Sequence, residues 1–80
     1  MASELARTLK ALPPKSGLRI RVALDFHNLK QYSFAEQIGT DETRVSQLMN
    51  GRRPWTSTEK SKAADILGVP EALLFPEVAA

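Results

Sequence analysis

Cysteine is missing from all 80 residues, which excludes disulfides and thiolate metal sites. The absence fits a reducing compartment. His27 is the one histidine, so a multi-histidine metal centre is excluded as well. No apolar run approaches the ~18 residues of a membrane span, and no membrane partner is expected. The opening stretch MASELARTLKALPP mixes acid and base in a helical pattern and lacks the apolar segment of a signal peptide. A cytoplasmic location is therefore expected. Nowhere do β-branched residues alternate with period two, so no strand is predicted. Repeats and low-complexity segments are also lacking. The scattered hydroxyls and carboxylates include no His or Cys arrangement suited to catalysis, so neither an enzyme nor a cofactor is expected.

What remains is an ordinary globular balance, 42% hydrophobic and 25% charged, in a length that fits one small domain. A core of this size is limited and gains from partners or oligomerisation. Net charge is +2, unevenly placed. From Lys15 to Lys62 the chain carries nine basic and five acidic residues, a net +4, between net acidic flanks. A weakly basic centre is compatible with a phosphate-bearing partner, although charge often does no more than solvate a face.

The punctuation reads as short helices. Ser3 is placed to cap a first helix with Leu5, Leu9 and Leu12 on one stripe, ended by Pro13-Pro14. A second helix is predicted from about Gly17 to His27, with Leu18 and Val22 inward and Ile20, Ala23 and Phe26 as further candidates. Asn28, tolerant of the left-handed conformation, stops it. A third runs from about Gln31 to Ile38 and ends at Gly39. A fourth follows Thr40 or Asp41, both good caps, and reaches Asn50 with Val45 and Leu48 inward. Thr56-x-x-Glu59 is a capping-box pattern opening a fifth helix to Leu67, and Pro70 suits the first turn of a sixth through Leu74. The expected fold is all-α, a compact bundle of five to six short helices.

One stretch, QYSFAEQIGTDETRVSQLMNG, carries more. Two short helices joined by a tight turn cross steeply. Close contact there needs a small residue, Ala35, and the turn needs one tolerant of positive φ, Gly39. Val45 and Leu48 then anchor the second helix. Ala35–Gly39–Val45–Leu48 is the spacing of a DNA-binding helix-turn-helix. The stretch resembles the Cro and repressor type of phage helix-turn-helix, the XRE-like family. Gln31, Ala35, Gly39, Val45 and Leu48 stand where that motif has its Gln, Ala, Gly, aliphatic and Leu. Asn28-Leu29-x-Gln31, Asn50-Gly51-Arg52-Arg53-Pro54 and Ala64-x-x-Leu67-Gly68-Val69 resemble its other segments. Five elements in order, over residues 17–75, make the resemblance specific. Lys30 departs from it, standing where a Ser or Thr cap is usual. Leu24 and Met49 stand where many members pair an Arg with a Glu, as though packing had replaced a buried ion pair.

The resemblance implies a lambda-repressor-like helix-turn-helix domain over residues 15–80, preceded by an N-terminal helical extension over residues 1–14. It implies a recognition helix, about residues 41–50, in the major groove of double-stranded DNA. Glu42, Thr43, Arg44 and Gln47 are its expected base readers. Gln47 can pair with adenine, Glu42 can accept from cytosine N4, and Thr43 can touch a thymine methyl. Arg44 can reach guanine or equally a phosphate. Gln31, Tyr32, Ser46, Asn50, Arg52 and Arg53 are the expected phosphate contacts, with a half-buried ring the alternative for Tyr32. Arg19 and Arg21 either extend that clamp or are surface charges. Trp55 is most simply a lid on the core, and His27 a partly exposed helix-end residue.

The expected function is a sequence-specific transcription regulator, a repressor, as a whole Cro-like protein or a domain of a longer one. The alternative is a protein-interaction role on the same fold, an antitoxin for example. A homodimer is expected, at least on DNA. The apolar residues Leu73, Leu74, Phe75 and Val78 are the candidate interface, with Leu5, Leu9 and Leu12 as the rival surface. The same C-terminal residues can instead close the core.

Overall fold

A computed structural model describes residues 2–76, and every regular element in them is helical. The order is α1 Ala2–Ala11, α2 Ser16–Phe26, α3 Gln31–Ile38, α4 Glu42–Met49, α5 Ser57–Leu67 and α6 Glu71–Leu74. Val78 lies outside the described residues.

Local chemistry sets most of the boundaries. Asp41 precedes α4, and its carboxylate accepts from the Arg44 amide at 2.8 Å. Thr56 and Glu59 form the complete capping box: Thr56 Oγ1 accepts from the Glu59 amide, and Glu59 Oε1 accepts from the Thr56 amide. Lys30 offers α3 no side-chain cap. The helix ends share one device. Past α3, Gly39 N–H donates to Glu36 O and Thr40 N–H to Ala35 O, and past α4, Gly51 and Arg52 repeat the pattern to Leu48 and Gln47. That pairing is the Schellman closure and needs a left-handed residue. At the end of α2 the residue is Asn28, φ 53°, the one non-glycine with positive φ among the described residues. Ser3 is a correction: α1 already includes Ala2, so Ser3 lies inside the helix rather than ahead of it.

The core runs through all six helices. Leu5, Leu9, Ile20, Ala23, Phe34, Val45, Ala63, Leu67 and Leu74 have no exposed surface. α1 packs against α2 and α6, so it closes the same core as α3 and α4. Leu5 and Leu9 are consequently not an outward stripe. At the other end, Leu74 and Phe75 are buried and Leu73 is half-buried, so this segment too closes the core. Trp55, half-buried, meets the Phe75 ring edge-on at 5.0 Å, as a lid does.

On α2 the expected inward set needs correction. Leu18 and Phe26 are exposed, at 37% and 42%, and Val22 is half-buried. The helix carries two candidate stripes, Leu18/Val22 and Ile20/Ala23/Leu24, and contacts with α1, α4 and α6 select the second. Arg19 belongs to that inner stripe and is 7% exposed. Its Nε donates to Pro13 O, Nη2 to Leu12 O and Nη1 to Leu73 O, at 3.2, 2.9 and 2.9 Å. Arg19 is thus neither a phosphate clamp nor a surface charge. It ties the end of α1 to α6 by satisfying three carbonyls. His27 lies at the end of α2, exposed over much of its surface. Its Nε2 is 2.7 Å from Leu67 O, and since a carbonyl only accepts, Nε2 carries the proton.

Candidate nucleic-acid interface

α3 and α4 meet through a three-residue turn at Gly39, φ 84°. Ala35 is 1% exposed, and Val45 and Leu48 anchor α4 beneath it at 0% and 2%. α4 is also held from behind. Gly17, at the start of α2, lies so close to the end of α4 that an added Cβ would sit 2.1 Å from Met49 O. Leu24 and Met49 line one cleft between α2 and α4, so the two apolar departures from the motif lie on the same side of α4.

With that face turned inward, the opposite face of α4 presents polar atoms. Gln31, Glu42, Thr43, Ser46, Gln47 and Arg52 line one shallow concavity. Glu42, Thr43 and Arg52 are exposed, and Gln31, Ser46 and Gln47 are half-buried. Tyr32 is 54% exposed and lines an adjoining cleft with Arg21, Lys30, Gln31 and Glu42, which settles its ring as a surface group. Asn50 is exposed but lines a separate recess beside Lys15 and Gly17. Arg53 is exposed, and its Nε donates to Gln47 Oε1 at 3.0 Å.

Arg44 stands apart from the other expected base readers. Its guanidinium turns to α5 and grips Glu59, Nε to Oε2 at 2.7 Å and Nη2 to Oε1 at 3.2 Å. Glu59 is 8% exposed and at the same time completes the capping box of α5. The hydrogen bond from Arg44 holds the Glu59 carboxyl below the ordinary glutamate range, against burial, which pushes it up, and with help from Thr56. The same hydrogen bond raises Arg44, so both groups are charged near neutrality. The pair joins α4 to α5 across 15 residues of sequence. Glu59 reads from sequence as a cap alone, because its partner lies on another helix and no local pattern announces it.

Comparison with family models, with curated proteins and with solved structures finds no match. Taken together, the face combines amide and hydroxyl groups able to pair with base edges, a carboxylate at the first turn of α4, and arginine past its end. The concavity is shallow, and the side chains that line it are all of polar type.

Proposed function

We propose that this protein is a sequence-specific double-stranded DNA-binding transcription regulator of the repressor type, with α4 in the major groove. The observation that carries the reading is the exposed polar face of α4 beside the tight Gly39 turn, with apolar residues confined to the buried side. Glu42, Thr43 and Gln47 read base edges in this proposal, and Gln31, Tyr32, Ser46 and Arg52 contact the backbone. One domain covers about one half-site, so specific binding takes two copies about one DNA turn, ~34 Å, apart. Selection of binding sites from random duplex at stated salt tests it. A single enriched half-site, bound more weakly as salt rises, is the expected result. No enrichment at any salt refutes it.

A second reading, a protein-interaction module such as an antitoxin, is favoured by one feature. Arg44 is neutralised by Glu59, while Asp41 and Glu42 remain at the first turn of α4. A basic protein partner would suit that end. Co-purification with an unrelated small protein, combined with failure to select a duplex, would move this reading ahead.

A further inference from the structure

The geometry points to Arg53 as a positioning residue that sets the orientation of Gln47 for base reading, beyond any phosphate contact it makes. The inference deepens the proposed DNA-binding role and rests on it. Its origin is the 3.0 Å hydrogen bond from Arg53 Nε to the Gln47 side chain. A guanidinium has donors only, so the amide atom facing it must be the oxygen. The pairing therefore removes the ambiguity of an amide that could otherwise present either end. One lone pair of Oε1 is taken by Arg53. The second lone pair and the amide NH2 remain, and together they match the donor and acceptor that adenine shows in the major groove.

The backbone makes the pairing a built feature. Gly51 N–H donates to Leu48 O and Arg52 N–H to Gln47 O, which folds the chain back over the last turn of α4. Gly51 takes φ 76° to do so. Pro54 follows and restricts Arg53 to extended backbone. Arg53 is thereby brought to Gln47 although six residues separate them. Its Nη atoms donate to no acceptor among the described residues and remain able to meet a phosphate oxygen. Arg53 then links a backbone contact to a base contact through one side chain. In water the exposed pair is weak, and against DNA, where water leaves, it strengthens. Arg52 carries the same charge and lines the same concavity without a side-chain bond to Gln47. The two arginines should therefore behave differently.

The experiment compares Arg52→Ala, Arg53→Ala, Gln47→Ala and the Arg53→Ala/Gln47→Ala double variant in site selection and in affinity against salt. Arg52→Ala should weaken all duplexes alike and make the salt slope shallower by about one unit. Arg53→Ala should in addition lose about 10-fold in discrimination at one base pair, the same pair that Gln47→Ala affects. The double variant should discriminate no worse there than Gln47→Ala alone, since the two act as one unit. An Arg53→Ala profile identical to wild type in base preference, or additive losses in the double variant, overturns the inference while leaving DNA binding intact. Wild-type protein that selects no duplex overturns the proposed function itself. A second readout on the duplex complex runs beside these: the Arg53 Nε proton should exchange more slowly in wild type than in Gln47→Ala, and equal exchange there also overturns the inference.

Discussion

Gly17→Ala is the substitution for which sequence rules and structure give opposite signs. Gly17 is the second residue of α2, where alanine should gain up to about 1 kcal/mol of helix propensity over glycine. The gain is smaller than that near a helix end, where the first turn frays. Against it stands a Cβ 2.1 Å from Met49 O and 3.1 Å from Met49 C. Both atoms are backbone, so no side chain can rotate away. Restoring contact distance requires α2 and α4 to part by on the order of 1 Å, in a close-packed interior that resists such shifts. Overpacking of this kind costs about 1–3 kcal/mol, which exceeds the propensity gain. For a domain of this size each kcal/mol lowers Tm by roughly 4–8 °C. Thermal unfolding followed by circular dichroism measures it, with urea midpoints as a check. The displaced end of α4 also carries Asn50 and leads to Arg52 and Arg53, so duplex affinity should fall even well below Tm. A Gly17→Ala protein as stable as wild type, or more so, would show that α2 and α4 do not approach as described.

Two other substitutions test the internal ties. Glu59→Gln keeps a capping-box side chain but removes the charge that holds Arg44. The Glu59 pKa is lowered on folding, so its contribution is full above the ordinary carboxylate range, ~4.3, and is lost as pH falls through the lowered folded value. The gap in urea midpoint between wild type and Glu59→Gln should be open at neutral pH and close in acid, and a gap independent of pH refutes the ion-pair account. Arg19→Met leaves the Leu12, Pro13 and Leu73 carbonyls without their donor and should cost on the order of 2–3 kcal/mol. Proteolysis near Pro13-Pro14 should accelerate with it, and an unchanged cleavage rate would show that Arg19 does not fasten α1.

Apart from Ser3, the residues that stop and start helices were legible from sequence because their chemistry is local. Asn28, Gly39 and Gly68 take positive φ, and Thr56 and Glu59 bond within one turn, whatever the rest of the chain does. The motif spacing likewise places Ala35, Val45 and Leu48 inside. What escaped were features decided by a distant partner. Arg19 is buried because three carbonyls from two other segments converge on it. Gly17 is needed because another helix's backbone passes close by. α2 offered two apolar stripes of similar quality, and only its packing against α1, α4 and α6 decides that Leu18 faces out. On the candidate interface the same division holds. The exposed face of α4 follows from helical periodicity, whereas the turn of Arg44 toward Glu59 depends on where α5 comes to rest.

These ties change how two copies would come together. The net +4 of residues 15–62 includes Arg19, enclosed by carbonyls, while the Arg44–Glu59 pair already cancels within that sum and leaves one arginine fewer to meet a phosphate. Less of that charge faces a phosphate backbone than the sequence suggests, and few phosphate contacts give a shallow salt slope and weak binding by one copy. Specific affinity would then depend on two copies engaging two half-sites. Yet Leu5, Leu9, Leu74 and Phe75, the apolar residues best placed in sequence to form an interface, are already buried within one chain. Removing the segment after Val69 would take Leu74 and Phe75 out of the core, so truncation there should unfold the chain rather than dissociate a dimer. With those residues inside, the chain alone should sediment as a monomer, and pairing should appear on a duplex carrying two half-sites. Binding to that duplex should be cooperative, and should lose its cooperativity when the half-sites are moved by half a helical turn, which puts them on opposite faces of the DNA. A stable dimer without DNA would mean that another surface, outside both apolar ends, joins the copies.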